Sequence, residues 1–101
     1  MQPTTHAGGP PLGGVVGTDD AVVIVAANSL RGYFIIFNTH ATGTIYLSLS
    51  RGLDEPEVGK GIIIAPGGYY EITASNMYRD VIEAIADEAD VSWCGVQGGA
   101  G

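Results

Sequence analysis

The sequence predicts an all-β protein, an antiparallel sandwich or barrel, and three observations carry that expectation. Runs of β-branched and aromatic residues follow one another through most of the 101-residue chain, and β-branched and aromatic side chains fit the pleated, half-buried surface of a sheet. Turn residues separate these runs at intervals of roughly 8 to 15 positions, the spacing of short strands in a sandwich or barrel. One segment, TIYLSLS at Thr44–Ser50, alternates strictly between apolar and polar residues, the period of a strand with one wet face. At this length a single domain is expected. Size scaling allows it to bury about 64% of its unfolded surface, enough for an independent fold with little to spare.

The first twenty residues contain five Gly and three Pro, a density that regular structure does not tolerate. They read as an extended arm, residues 1–20, whose Pro11, Leu12, Val15 and Val16 suggest that it lies in a groove. A β-sandwich domain is expected over residues 21–97. AVVIVAA at Ala21–Ala27 and YFIIFN at Tyr33–Asn38 read as largely buried strands, closed by Asn28-Ser29 and by the polar cluster at residues 39–43. In Thr44–Ser50, Ile45, Leu47 and Leu49 face one side and Tyr46, Ser48 and Ser50 the other. RGLDEPEVGK at Arg51–Lys60 is a long polar loop. Gly61–Ala65 and Tyr69–Thr73 are expected to pair as a hairpin through Pro66-Gly67-Gly68, which suits a type II turn. Tyr78–Ala86 fits a strand better than a helix because Ile82, Ala84 and Ala86 alternate with Glu83 and Asp87. Asp87–Asp90 is then a hairpin tip before the last strand, Val91–Gln97. The total is seven strands, or eight if Gly14–Gly17 pairs with an edge. Residues 98–101 read as a flexible end.

Charge narrows the partners. Four Lys and Arg against eleven Asp and Glu leave a net charge of −7, the reverse of the footprint expected for nucleic-acid binding. Anionic membranes are disfavoured on the same ground, and the longest uncharged apolar run, Ala21–Ala27, is far shorter than the roughly 20 residues of a spanning helix. No basic region precedes an apolar stretch as in a secretory signal, so assembly in a cytoplasm is expected. Charged residues are only 15% of the chain, against a usual quarter or so, and a surface so poor in charge is expected to be covered. The cations Arg31, Arg51, Lys60 and Arg79 are each expected to have an acidic partner, within the fold or across a subunit contact, Arg79 through the adjacent Asp80. The single cysteine, Cys94, lies in an apolar segment and reads as a buried thiol.

No arrangement of residues points to catalysis, a cofactor or a metal. His6 and His40 are the only histidines and fall in the arm and in a turn, so neither a His-based metal site nor a Ser–His–acid site is expected. Gly59-Lys60-Gly61 lacks the upstream glycine and the Ser or Thr of a phosphate loop. The acidic clusters Asp19-Asp20, Asp54-Glu55-x-Glu57 and Asp87-Glu88-x-Asp90 lack the ordered ligand spacing of a calcium loop. Tyr46, Tyr69, Tyr70, Tyr78 and Trp93 supply most of the aromatic content, and Tyr and Trp are enriched where proteins meet.

An arginine leading a strand that ends in asparagine (Arg31 to Asn38), an Ile-Tyr strand (Ile45-Tyr46), a glycine–strand–Pro-Gly unit (Gly61 to Gly67), VIEAIA at residues 81–86 and a Trp-bearing last strand together resemble small virion proteins of tailed bacteriophages, over about residues 31–96. The resemblance implies a compact jelly-roll or related β-sandwich and a structural, non-enzymatic role. The preferred expectation is a capsid decoration or cement protein on the outside of the head, bridging subunits of the major capsid protein and forming a trimer or dimer. Pro11, Leu12, Val15, Val16, Tyr46, Arg51, Tyr69 and Tyr70 are its candidate contacts to the capsid or to a neighbouring subunit. The alternatives are a carbohydrate- or receptor-binding module of a tail or head fibre, using Tyr69, Tyr70 and the Asp54–Glu57 loop, and a head-completion or tail component.

Overall fold

A computed structural model describes residues 12–19, 21–49 and 57–99. Eight strands account for nearly all regular structure: β1 (Leu12–Val16), β2 (Val22–Val25), β3 (Arg31–Asn38), β4 (Ile45–Ser48), β5 (Ile62–Ile64), β6 (Tyr69–Ile72), β7 (Ile82–Ala86) and β8 (Val91–Gly99). Among the described residues the single helical element is a 3-10 turn at Ala74–Asn76, capped by Thr73. The strands form two four-stranded sheets, ordered β1-β8-β3-β6 and β2-β7-β4-β5, with every pairing antiparallel. The 78–86 segment is therefore a strand from Ile82 onward.

Inward-facing residues of both sheets make one core. Val16, Phe34, Ile36, Ile72, Val91 and Trp93 come from the first sheet. Val25, Ile45, Leu47, Ile64, Ile82, Ala84 and Ala86 come from the second. The alternation expected in Thr44–Ser50 holds, with Ile45 and Leu47 fully buried and Tyr46 and Ser48 half-buried on the other face. Gly95 also points inward, where a Cβ would run into the Ile35 carbonyl oxygen, so the two central strands approach each other only without a side chain there.

Several expectations are corrected. The turn at residues 65–68 forms, with Gly68 N–H donating to the Ala65 carbonyl (2.8 Å) and Gly67 at φ +78°, the backbone that type II requires at its third residue. It does not close a hairpin: β5 pairs with β4 and β6 with β3. Asp87–Asp90 likewise joins β7 of one sheet to β8 of the other. Of all connections between consecutive strands, only β4–β5 joins sheet neighbours. Ala21–Ala27 is not a buried strand. Its ordered part, β2, lies at a sheet edge and exposes Val22 and Val23. Residues 12–16 of the expected arm form β1, paired with β8 and placing Val16 in the core. Gly98 and Gly99 continue β8 against β3.

Candidate functional site

Each sheet turns one face away from the core, and on both faces the side chains are mostly apolar. On the β1-β8-β3-β6 sheet, one row across all four strands runs Tyr69, Phe37, Cys94, Gly13 in register. The Phe37 and Tyr69 rings lie 5.9 Å apart between centroids at a tilt of 41°. The adjacent row runs Glu71, Ile35, Val96. Tyr69 is 62% and Val15 57% exposed; Phe37 and Val96 are exposed to a lesser degree. The one charge among these outward positions, Glu71, accepts a hydrogen bond from the Tyr33 hydroxyl at 2.8 Å. On the other sheet, Ile63 (61% exposed), Tyr46 and Ile85 form a row, flanked by Val23 and Glu83. Ile85 is largely buried yet stands outside the core cluster.

Charge is gathered away from these faces. Asp19, Glu57, Asp80, Asp87, Glu88 and Asp90 all lie in connections, and among the described residues only Glu71 and Glu83 are carboxylates on strands. Glu83 Oε1 is out of contact with water and has no hydrogen-bond partner.

The sequence-predicted contact residues divide among three environments. Val15, Tyr69 and Tyr46 lie on the outward faces. Val16 is a core residue, and Leu12 and Tyr70 pack against the core from half-buried positions; adjacent residues of a strand face opposite sides, so Tyr69 is outward because Tyr70 is not. Pro11, Arg51 and residues 54–56 of the acidic loop lie outside the described residues. Trp93 is buried in the core. Cys94, expected to be buried, is exposed. Its neighbours Trp93 and Gly95 take the inward positions, so alternation along VSWCGV turns the thiol out. Phe37, Val96 and Ile63 are outward residues that the sequence reading passed over, and the same alternation was the signal for them.

The two ends of β3 hold the only fully buried polar side chains among the described residues, Arg31 and Asn38. Arg31 donates from Nε to Gln97 Oε1 (2.7 Å), from Nη1 to the carbonyls of Tyr78 (2.7 Å) and Asp80 (3.1 Å), and from Nη2 to the carbonyl of Ala26 (2.9 Å). The guanidinium carbon lies 5.9 Å from the centroid of Phe34. Among the described residues no carboxylate forms an ion pair with it, and burial pulls its pKa below the usual arginine value, with the charge of nearby Asp80 opposing that shift. Arg79 does not pair with Asp80 either. Its Nε donates to the Arg31 carbonyl at 2.8 Å, while Asp80 Oδ1 accepts from the Val81 N–H. Lys60 does find its acid, Glu57, at 3.2 Å on the surface. A shallow cleft of about 370 Å³ opens beside this network, lined by Ala27, Ser29, Met77, Tyr78, Arg79 and Asp80.

At the other end, Asn38 Nδ2 donates to the carbonyls of Gly43 (2.8 Å) and Ile64 (2.9 Å), and its Oδ1 accepts from His40 N–H. His40 Nδ1 accepts from the Gly43 and Thr42 amides and stands 3.6 Å from Glu88. The ring thus organises a turn.

Comparison with protein-family models, with curated proteins and with solved structures finds no match.

Proposed function

We propose that the chain is a structural virion protein of the capsid decoration or cement type, a jelly-roll β-sandwich that binds the outside of a tailed-phage head and bridges its capsid subunits. The observation that carries this reading is the separation of charge from the sheet faces. In a chain of net charge −7, two broad faces are left apolar and almost uncharged while the carboxylates gather in the connections. Exposed apolar patches framed by polar residues are the mark of surfaces made to be covered by protein. The strand order β1-β8-β3-β6 over β2-β7-β4-β5 supports the jelly-roll assignment, since consecutive strands alternate between two sheets except at β4–β5, as in a doubled Greek key. The sequence resemblance to small phage virion proteins over residues 31–96 points the same way.

Co-sedimentation with expanded phage heads tests the reading. The expected result is saturable binding at a fixed ratio to the major capsid protein. Ile63→Glu, which plants a charge on the outer row of the β2-β7-β4-β5 sheet, is expected to weaken binding at least about tenfold, equivalent to about 1.4 kcal/mol, with the far-ultraviolet spectrum unchanged. A contribution from the N-terminal segment is tested by removing residues 1–11. Removing residues 1–20 would also delete β1 and its core residue Val16. Failure to bind heads at any ratio would overturn the decoration role.

A further inference from the structure

We propose that the outward face of the β1-β8-β3-β6 sheet is a self-pairing surface, covered by the same face of a second copy related by a twofold axis. This rests on the structural role proposed above and names what covers one of the two faces, leaving the Ile63–Tyr46 face of the other sheet for the shell.

Three features of the face select a second copy. The first is charge. Two chains of net charge −7 repel wherever carboxylates meet, so self-association is favoured only through a surface that lacks them. Here Glu71 is the one outward charge, and it already accepts a hydrogen bond from Tyr33. The second is relief. The cross-strand row Tyr69–Phe37–Cys94–Gly13 descends from two aromatic rings to a thiol and a bare backbone. A twofold axis lying along the strands between β3 and β8 lays β6 of one copy over β1 of the other and β3 over β8. Phe37 then meets Cys94 of the second copy, and Tyr69 meets its Gly13, so ridge enters trough twice in one isologous contact. Sulfur against an aromatic ring is itself a favourable contact. The same rotation places the two Glu71 side chains at opposite margins, about 14 Å apart across three strand spacings of about 4.8 Å, beyond the roughly 8–10 Å over which salt leaves exposed charges in contact.

The third is area. The 26 residues of the four strands, at about 3.4 Å along and about 4.8 Å across a strand, give a face of roughly 420 Å² per copy, hence roughly 850 Å² in the pair, the size of a weak, transient interface. A weak dimer, populated only at high concentration, is the consequence. Sheets packed in this way lie about 10 Å apart with their strands inclined by about 30°. At that separation the two Cys94 thiols do not reach each other for a disulfide, but both are shielded.

The test measures mass by light scattering from about 1 to 1,000 μM, a range that reaches the weak end of protein association, together with the rate of Cys94 alkylation by iodoacetamide over the same range. The expected result is a rise from one to two chain masses, with the alkylation rate falling in step by at least about fivefold at the top of the range. Phe37→Glu is expected to stay monomeric with concentration-independent alkylation. Should that variant fail to fold, Cys94→Arg, at an exposed position, replaces it and is read by mass alone. A wild-type protein monomeric throughout, or a dimer whose Cys94 reacts at the monomer's rate, would overturn the proposal. Head binding separates it from the reading beneath: a monomer that saturates heads removes only the self-pairing, and a dimer that binds no head removes only the decoration role.

Discussion

The two ends of β3 solve the same problem with different chemistry. Because nearly every connection crosses from one sheet to the other, the chain at each end leaves backbone carbonyls with no ladder partner, and a buried carbonyl without a hydrogen bond is costly. At the start of the strand, Arg31 reaches across to three carbonyls and one side-chain amide and so ties the loop after β2, the segment before β7 and the end of β8 to one point. At its end, Asn38 does so with an uncharged group, joining the turn before β4 to the end of β5. A guanidinium has five donors in a rigid fork and suits a site where several acceptors converge. Its cost is desolvation, visible in the lowered pKa. Asparagine supplies two donors and an acceptor without that cost, and it suffices where fewer acceptors converge. The charged device therefore spans more chain, and its removal strands more partners.

That ranking can be broken. Arg31→Met keeps much of the side-chain length and deletes every donor, taking one hydrogen bond each from three carbonyls and from Gln97. The expected loss is about 3–5 kcal/mol in urea unfolding, the scale for breaking a buried network on one side, out of a total of about 5–15 kcal/mol for a typical domain. Arg31→Lys is expected to recover little of it, because an ammonium cannot reproduce the fork. Asn38→Leu strands two carbonyls and one amide and is expected to cost about 2–3 kcal/mol. If it costs as much as Arg31→Met, the number of acceptors served is not what sets the scale.

Both ends of β3 were visible in the sequence, as a strand that opens on arginine and closes on asparagine, and so were seven of the eight strands and the glycine-dependent turn at Pro66-Gly67, with β1 foreseen only as a conditional edge strand at Gly14–Gly17. What stayed hidden was which strands are neighbours. A period of two tells which face a residue takes, yet it says nothing about whether the next strand lies in the same sheet. Pro66-Gly67-Gly68 therefore looked like a hairpin, whereas Asn38, far away in sequence, holds that turn by accepting from Gly67 N–H and donating to the Gly68 carbonyl through its backbone. Arg31 misled for a related reason: three of its four acceptors are backbone carbonyls 5 to 49 residues away, which no side-chain pattern advertises. Of the candidate contacts, the outward set was legible wherever alternation was applied strictly. It failed at Cys94, where the apolar neighbourhood was weighed instead of the parity, and at Val16, where an arm was expected in place of β1.

The smallest effect comes from a third polar group on β3, and it sharpens the comparison because it lies on the outward face. Tyr33 donates to Glu71 at 2.8 Å, and that hydrogen bond, ahead of burial and of the carboxylate's charge, raises the phenol above its ordinary value of 10.0. A raised folded-state pKa favours the protonated form, so the stabilisation is complete below the unfolded value and is lost as pH climbs through the folded one. Tyr33 should therefore ionise above the ordinary tyrosine value of 10.0 in an alkaline titration followed by phenolate absorbance, with its contribution identified by subtracting Tyr33→Phe. Glu71→Gln should bring it back toward 10.0 while leaving urea unfolding at neutral pH almost unchanged, because water reaches this half-buried hydrogen bond and cannot replace a fully buried one. A large loss of neutral-pH stability in that variant would mean that this face is drier than the half-buried pair implies. The distinction between buried ties at the strand's ends and a half-buried tie on its face would then fall.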